Sequence, residues 1–341
     1  MSSLLPFTSI VGVKANPVHR EGKKFRFALV ASAPIWPKQQ VPQEESLPEI
    51  TANGITIHYD THGDPSNPPI LLVMGLGAQM TFWPTELVEA LAGRGFHVIR
   101  YDNRDIGLSH KFHGEKVPGM IWHMIRKRFG FPPKVPYSLS DMAADGIGVL
   151  DALGIERAHI VGASMGGMIA QLMAIEHPQR VLSLTSIFST TGHHKLPQAD
   201  KAAIEALTKR PASEEEEVLV EHGMMVATAI GSPGFRPDPK NLRERVTGYV
   251  RRSVYPEGLF RQMAAIIDDG DRTERLKSVN APALVLHGED DPLVKVECGH
   301  ATAAAIPGAR IKTIPGWGHD LPVELVDPIA NAIAEHAQAA G

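Results

Sequence analysis

The stretch His159-Ile160-Val161-Gly162-Ala163-Ser164-Met165-Gly166-Gly167-Met168-Ile169-Ala170 decides how this chain is read. Ala158 to Val161 is an apolar run that predicts a buried strand, and the pattern from Met165 through Gln171 and Ala174 predicts a helix. Ser164 therefore falls in the reversal between them. Gly162 and Gly166 occupy the two positions where a side chain would collide with neighbouring backbone, which makes the pattern Gly-x-Ser-x-Gly, a nucleophile elbow. Such a turn holds the serine Oγ clear of the sheet, at a helix N-terminus whose free N–H groups and dipole favour developing negative charge. In a chain with 31 glycines the short pattern alone is a weak signal, so its meaning depends on whether an acid and a histidine follow in order.

Upstream of the elbow, Ile55-Thr56-Ile57-His58-Tyr59-Asp60 alternates apolar and polar residues, as a half-exposed edge strand does. Ile70-Leu71-Leu72-Val73-Met74 is continuously apolar, the mark of a strand covered on both faces of a parallel sheet. Gly75-Leu76-Gly77-Ala78 is a flexible loop, a helix is expected from about Trp83 to Arg94, and Phe96 to Tyr101 is the next strand. These βαβ units predict an α/β fold with a mostly parallel, doubly wound sheet. The polar loop Asp102 to Ser109 is expected to pair its charges with one another and to cap backbone groups. Met120 to Phe129, basic and aromatic, is expected to be an amphipathic element on the rim of the fold.

Downstream, Val181 to Ile187 predicts another buried strand, after which the regular alternation breaks. Residues 192–280 have a helical, charge-rich pattern without a strand-like run, so they are expected to form a helical cap inserted between two strands of the core. Residues 49–191 and 281–341 are then the core, and residues 1–48 a poorly ordered, Pro-rich N-terminal extension. Within the insertion, Glu214 to Glu217 reads as a solvated helix start. Met224, Met225 and Met263 are either core or the lining of an adaptable apolar pocket. His193-His194 reads as a pair of loop histidines without a carboxylate at ligand spacing. The core resumes with the strands Ala283 to Gly288 and Ala309 to Ile314, separated by a helix at Cys298 to Ile306, and a helix from Leu325 to Ala339 closes the chain.

Composition narrows the partners. The 341 residues carry a formal net charge of −4 without a concentrated basic face, which argues against nucleic acid. The single cysteine, Cys298, excludes an intrachain disulfide and a thiolate metal cluster, and reads as packing. No apolar run approaches the length of about 18 residues that a membrane span requires, so no stable membrane insertion is expected. Lys23 to Ala33 has basic residues and a brief apolar stretch, but a signal peptide would carry its charge nearer Met1 and a longer apolar core. The expectation is a cytoplasmic protein, with secretion as the alternative. The sequence does not set an oligomeric state.

A serine hydroxyl is a poor nucleophile at neutral pH and needs a base to take its proton and a carboxylate to orient that base. Ser164, Asp291 and His319 supply these in chain order, and each falls in a loop after a predicted strand, at the sheet edge where open α/β proteins build their sites. Five segments carry a family resemblance: Val73-Met74-Gly75-Leu76-Gly77, Arg100 to Ser109, Gly162-Ala163-Ser164-Met165-Gly166, His287-Gly288-Glu289-Asp290-Asp291-Pro292 and Gly316-Trp317-Gly318-His319. From about Ile50 to its end the chain resembles an α/β-hydrolase-fold enzyme. Within that fold it resembles the group of aclacinomycin-type methylesterases, proline iminopeptidase-like hydrolases and bacterial carboxylesterases.

The resemblance implies Ser164 as nucleophile, His319 as general acid/base and Asp291 as the orienting acid. Asp290 is the rival, and Asp291 is preferred because it precedes Pro292, as the family's acid commonly does. It also implies an oxyanion hole from the backbone N–H groups of Leu76 and Met165. Met74-Gly75 stands where many relatives have His-Gly, a departure that leaves a backbone donor intact. The implied reaction is hydrolysis of a carboxylic ester of a small, largely apolar molecule through an acyl-enzyme, without a cofactor or metal. The same triad serves aminopeptidases, lactonases and C–C hydrolases, and a non-catalytic ligand-binding protein on the same scaffold is a further alternative.

Overall fold

The computed structural model describes residues 48–117 and 135–340, with Trp122, Ile125 and Phe129. Apart from Pro48, the expected N-terminal extension at 1–48 lies outside the described residues, as does most of the Met120 to Phe129 element, although Trp122, Ile125 and Phe129 are exposed.

Among the described residues, eight strands form one sheet in the order β1-β2-β4-β3-β5-β6-β7-β8. They are β1 (Glu49–Ala52), β2 (Ile55–His62), β3 (Pro69–Val73), β4 (His97–Tyr101), β5 (Ala158–Ala163), β6 (Val181–Ile187), β7 (Ala283–Gly288) and β8 (Arg310–Ile314). β1 and β2 run antiparallel to their neighbours and the rest are parallel. Contrary to the sequence expectation, β2 is not an edge strand. The short β1 covers it, pairing Ile50 with Ile57. At four residues with the pattern Glu-Ile-Thr-Ala, β1 is too short for its alternation to announce it.

Strands β5 and β7 are buried throughout, and apolar apart from His159 and His287, because helices cover both faces of a parallel sheet. On one face, Leu71, Ile99 and Ile160 pack against α2 (Leu139–Ala152) and α3 (Met165–Glu176). On the other, Ile70, Leu72, Val98 and Val161 pack against α1 (Thr85–Ala92) and the last helix, residues 326–338. Adjacent residues of one strand thus feed two separate cores, as the pleat requires. α2 starts at Leu139 because Ser138 and Asp141 form a capping box, and Gly154, at φ 70°, sits just past its end.

Between β6 and β7 lie four helices, α4 (Lys201–Thr208), α5 (Glu216–Ile230), α6 (Pro239–Arg252) and α7 (Pro256–Asp269), and a single turn, α8 (Thr273–Leu276). α5 begins within the acidic run, with Glu216 and Glu217 in its first turn. Glu216 and Glu217 pair with Arg251 and Arg243 on α6, so the run is solvated but not unpartnered. After β7 come α9 (Val296–Ala305), which holds the buried Cys298, then β8 and α10 (Val326–Gln338). Among the described residues, no helix is long and apolar enough to cross a membrane.

Candidate active site

β5 ends at Ala163 and α3 begins at Met165, leaving Ser164 alone to reverse the chain at φ 56°, ψ −120°. A non-glycine residue in this left-handed region carries strain of about 1–3 kcal/mol, which the surroundings must hold. They do so through the backbone. Ser164 N–H donates to Ile187 O (2.9 Å), and its carbonyl accepts from Gly167 N–H (2.9 Å) and the Ser189 hydroxyl (2.8 Å). A Cβ on Gly162 would overlap the Gly166 carbonyl, and one on Gly166 would overlap the Val73 carbonyl. Both glycines are required for strand and helix to approach this closely.

His319 lies in the loop after β8, with Nε2 3.0 Å from Ser164 Oγ and Nδ1 2.7 Å from Asp291 Oδ2. Asp291, in the loop after β7, is 1% exposed and His319 8%. The other oxygen of Asp291 accepts the N–H groups of Leu293 and Val294, each at 2.8 Å, so Oδ2 is left facing the imidazole. Asp290 points elsewhere, accepting from Gly316 N–H at 2.7 Å. Of the two rival carboxylates, only Asp291 meets His319. Next to Asp291, buried His287 donates from Nε2 to the Val294 carbonyl (2.7 Å), and burial pushes its pKa below the usual histidine value.

The loop after β3 lies against the serine. The Cβ position of Gly75 is 3.0 Å from Ser164 Cβ and 3.5 Å from its Oγ, so a side chain there would crowd the hydroxyl. The backbone N–H groups of Leu76 and Met165 have no hydrogen-bond partner among the described residues. Backbone N–H groups left without a partner remain able to receive an anion. Asn103 Nδ2 donates to the Met74 carbonyl (2.8 Å), and Gly77 N–H donates to Gln262 Oε1 (2.9 Å).

The loop Asp102 to Ser109 departs from expectation. Its acids do cap backbone N–H groups, Asp102 those of Met80 (2.7 Å) and Leu108 (2.9 Å), and Asp105 that of Phe112 (2.8 Å). Its charges, however, do not pair with one another. Asp102 binds Arg252 of α6 (2.7 Å), Asp105 binds Arg261 of α7 through two bonds (2.7 and 2.9 Å), and Arg104 binds Asp145 of α2 (2.6 Å). The reason is reach: adjacent side chains on a tight loop diverge, whereas the inserted helices present guanidinium forks that fit a carboxylate. Burial pushes the Asp105 carboxyl up, but bonds from Arg261, Tyr137 and Phe112 outweigh it and hold it below the usual carboxylate range.

The insertion also grips the His319 loop. His319 N–H donates to Ile230 O at the end of α5 (2.8 Å), and Gly318 N–H donates to Ser232 Oγ (2.9 Å). The Ser232 hydroxyl in turn bonds Asp320, whose carboxyl burial pushes above the usual range against the opposing effect of that bond. Sequence reasoning missed Ser232, Arg252, Arg261, Gln262 and Asp320. Their partners lie far along the chain, Arg261 being 156 positions from Asp105, and no local pattern marks them. Met224, Met225 and Met263 are half-buried, and His193 and His194 sit in the loop after β6 with rings 4.7 Å apart.

A strand–serine–helix elbow, a sheet of this order and a serine, histidine and acid at one sheet edge define a class of proteins, and comparison with known proteins agrees. The family model for the alpha/beta hydrolase fold matches residues 68–220. Rhodomycin D methylesterase DnrP of Streptomyces peucetius is 30% identical over 314 residues, covering 85% of this chain and 98% of that protein. The putative carbamate hydrolase RutD of Variovorax paradoxus is 28% identical, with 77% and 89% covered. Among solved structures, a meta-cleavage product hydrolase from Pseudomonas fluorescens IP01 superposes with a TM-score of 0.67 at 20% identity, covering 86% of this chain and 98% of that one. The enol-lactonase from Burkholderia xenovorans LB400 gives 0.62 at 24% identity, covering 85% and 100%. The chain belongs to the α/β-hydrolase family and is a hydrolase.

Proposed function

We propose that the protein is a carboxylic ester hydrolase that works through an acyl-enzyme on Ser164 and takes a small, largely apolar ester. The observation that carries this reading is the continuous relay from Ser164 Oγ through His319 to Asp291, at 3.0 and 2.7 Å. A carboxylate only accepts hydrogen bonds, so His319 Nδ1 bears the proton facing Asp291 and Nε2 presents a lone pair to the hydroxyl. Ser164 attacks the ester carbonyl as Nε2 takes its proton, and the N–H groups of Leu76 and Met165 stabilise the oxyanion. The alcohol leaves with the proton held by Nε2, and a water deprotonated by His319 releases the acid. Losing one oxyanion donor in such chemistry costs on the order of 10² to 10³ in rate, so the two donors account for a substantial part of catalysis.

In this reading residues 49–191 and 281–341 supply the reacting groups, and residues 192–280 form the cap that limits what reaches them. The ester assignment draws support from the methylesterase relative at 30% identity. The carbamate hydrolase relative makes carbamates and amides the comparison substrates. A panel of nitrophenyl esters of rising acyl length, run beside lactones, carbamates and aminoacyl amides, tests the reading. The expected outcome is fastest turnover on short or medium esters, with Ser164 covalently labelled by a fluorophosphonate. Preferred turnover of amides or lactones would replace the ester assignment, and absence of labelling would remove the acyl-enzyme.

A further inference from the structure

The loop proposed to donate the Leu76 N–H is built from two of the least constrained residues available. Gly75 and Gly77 flank Leu76, and Gly77 adopts φ 66°. Glycine is needed at both positions, since a Cβ on Gly75 would crowd Ser164 and one on Gly77 would meet Leu259 Cδ1 at 2.7 Å. The same freedom lets the intervening peptide swing, and an oxyanion donor is useful only when its direction is fixed beforehand. Within the loop, Ala78 N–H donates to the Gly75 carbonyl at a long 3.3 Å, which holds that peptide only loosely, so its direction depends on clamps from outside.

Two buried amide side chains provide them, one on each side of Leu76. Asn103 Nδ2 donates to the Met74 carbonyl at 2.8 Å, holding the peptide before Gly75. Gln262 Oε1 accepts from Gly77 N–H at 2.9 Å, holding the peptide after Leu76. Gln262 Nε2 donates to the Arg104 carbonyl at 2.9 Å, which fixes the orientation of the amide, because a carbonyl only accepts and an N–H only donates. Gln262 is fully buried, so water does not replace either bond.

Asn103 belongs to the core, but Gln262 belongs to α7, in the insertion. Its aim depends on the seating of that helix. Arg261 forks onto Asp105, Leu259 lies over Gly77, and a Cβ on Gly258 would overlap the Asp105 carbonyl, so the helix backbone is pressed against the loop.

We propose that Gln262 is the positioning residue of the oxyanion loop, so that the seated α7 completes the anion-binding geometry beside Ser164. The inference rests on the acyl-enzyme reading and deepens it: the insertion shapes the transition state as well as access to it. Gln262 touches no reacting atom and acts through the Gly77 peptide.

The test is Gln262→Met, which keeps the length and removes both bonds, and Gln262→Glu. A buried, protonated Glu reproduces both bonds, accepting from Gly77 with its carbonyl oxygen and donating to Arg104 with its hydroxyl. The ionised form sets a charge against the Arg104 carbonyl. For Gln262→Met we expect kcat on a nitrophenyl ester to fall about 10- to 100-fold with KM within about threefold, less than the loss of a whole donor. Affinity for a trifluoromethyl ketone, which forms an oxyanion on the serine, falls by the same factor, while affinity for the product alcohol is unchanged. For Gln262→Glu the activity relative to the parent is higher at pH 6 than at pH 8.5. A folded Gln262→Met enzyme with parental kcat and ketone affinity overturns the proposal, as does loss of kcat without loss of ketone affinity. Should the Met variant not fold, the Glu variant decides, and a ratio to parent that is flat with pH overturns the proposal. If Ser164→Ala is inactive while the Gln262 variants behave as the parent, only this inference fails; if Ser164→Ala retains activity, the acyl-enzyme reading fails with it.

Discussion

The turn at Ser164 and the helices between β6 and β7 serve the same few atoms by opposite means. The turn is shaped by what is missing: Gly162, Gly166 and Gly75 leave room for strand, helix and loop to touch, and hydrogen bonds to the Ser164 backbone, one of them from the Ser189 hydroxyl, do the rest. The inserted helices are joined to the core by what is present, two buried guanidinium–carboxylate pairs, a buried amide and a hydroxyl–carboxyl contact. Backbone constraints of the first kind leave a short local signature in the sequence. Side-chain constraints of the second kind leave none, although they reach the loops after β3, β4 and β8.

If the turn carries the chemistry and the insertion its alignment, substitutions in the two regions will differ in kind. Ser164→Ala removes the nucleophile without disturbing the fold and is expected to lower kcat by roughly 10⁴- to 10⁶-fold with an unchanged melting curve. Asp291→Asn keeps the shape but favours the wrong imidazole tautomer, an effect of about 10⁴ in kcat. Asp290→Asn is expected to stay near the parent, and equal losses in the two would undo the choice between them.

In the insertion, Arg261→Met leaves Asp105 buried with Tyr137 and one backbone N–H as its remaining partners. Removing one member of a buried pair costs about 3–5 kcal/mol, so a large drop in denaturant midpoint is expected, accompanied by loss of activity. The exposed Arg243, paired with Glu217, provides the contrast: Arg243→Ala is expected to leave the denaturant midpoint unchanged. Similar effects for the two arginines would show that burial of the pair is not what seats α7.

The smallest effect expected is in pH dependence. Burial holds His159, in the middle of the sheet, down to about 4, with the positive charges of His336 and Arg157 adding to the effect. Its folded pKa is thus depressed from the ordinary 6.5. Below pH 6.5 the unfolded chain takes a proton that the folded one refuses, so stability is full above that pH and falls toward pH 4. His97, His287 and His336 are shifted the same way by burial and steepen the fall. Thermal unfolding across this window reads the slope, and His159→Leu is expected to flatten it.

What the sequence made legible follows from range. β5, the elbow and α3 are encoded within about twenty residues, and the continuous apolar runs of β3 and β7 announce strands covered on both faces. The order serine, acid, histidine could be picked out because each falls just past a recognisable strand. β1 was hidden by its length, and the partners of Asp102 and Asp105 by distance: Arg252 and Arg261 look like any charged residues of an amphipathic helix until the fold sets them against a carboxylate. Likewise nothing local tells Gln262 from a surface glutamine.

In the proposed chemistry His319 makes Ser164 able to take an acyl group. Mixing enzyme with a slowly deacylating nitrophenyl ester and measuring intact mass within the first turnovers tests it most directly. A burst of nitrophenol matched by one acyl adduct mapped to Ser164 is expected, with neither burst nor adduct in His319→Ala. Turnover without an adduct, or an adduct on another residue that survives Ser164→Ala, would contradict it.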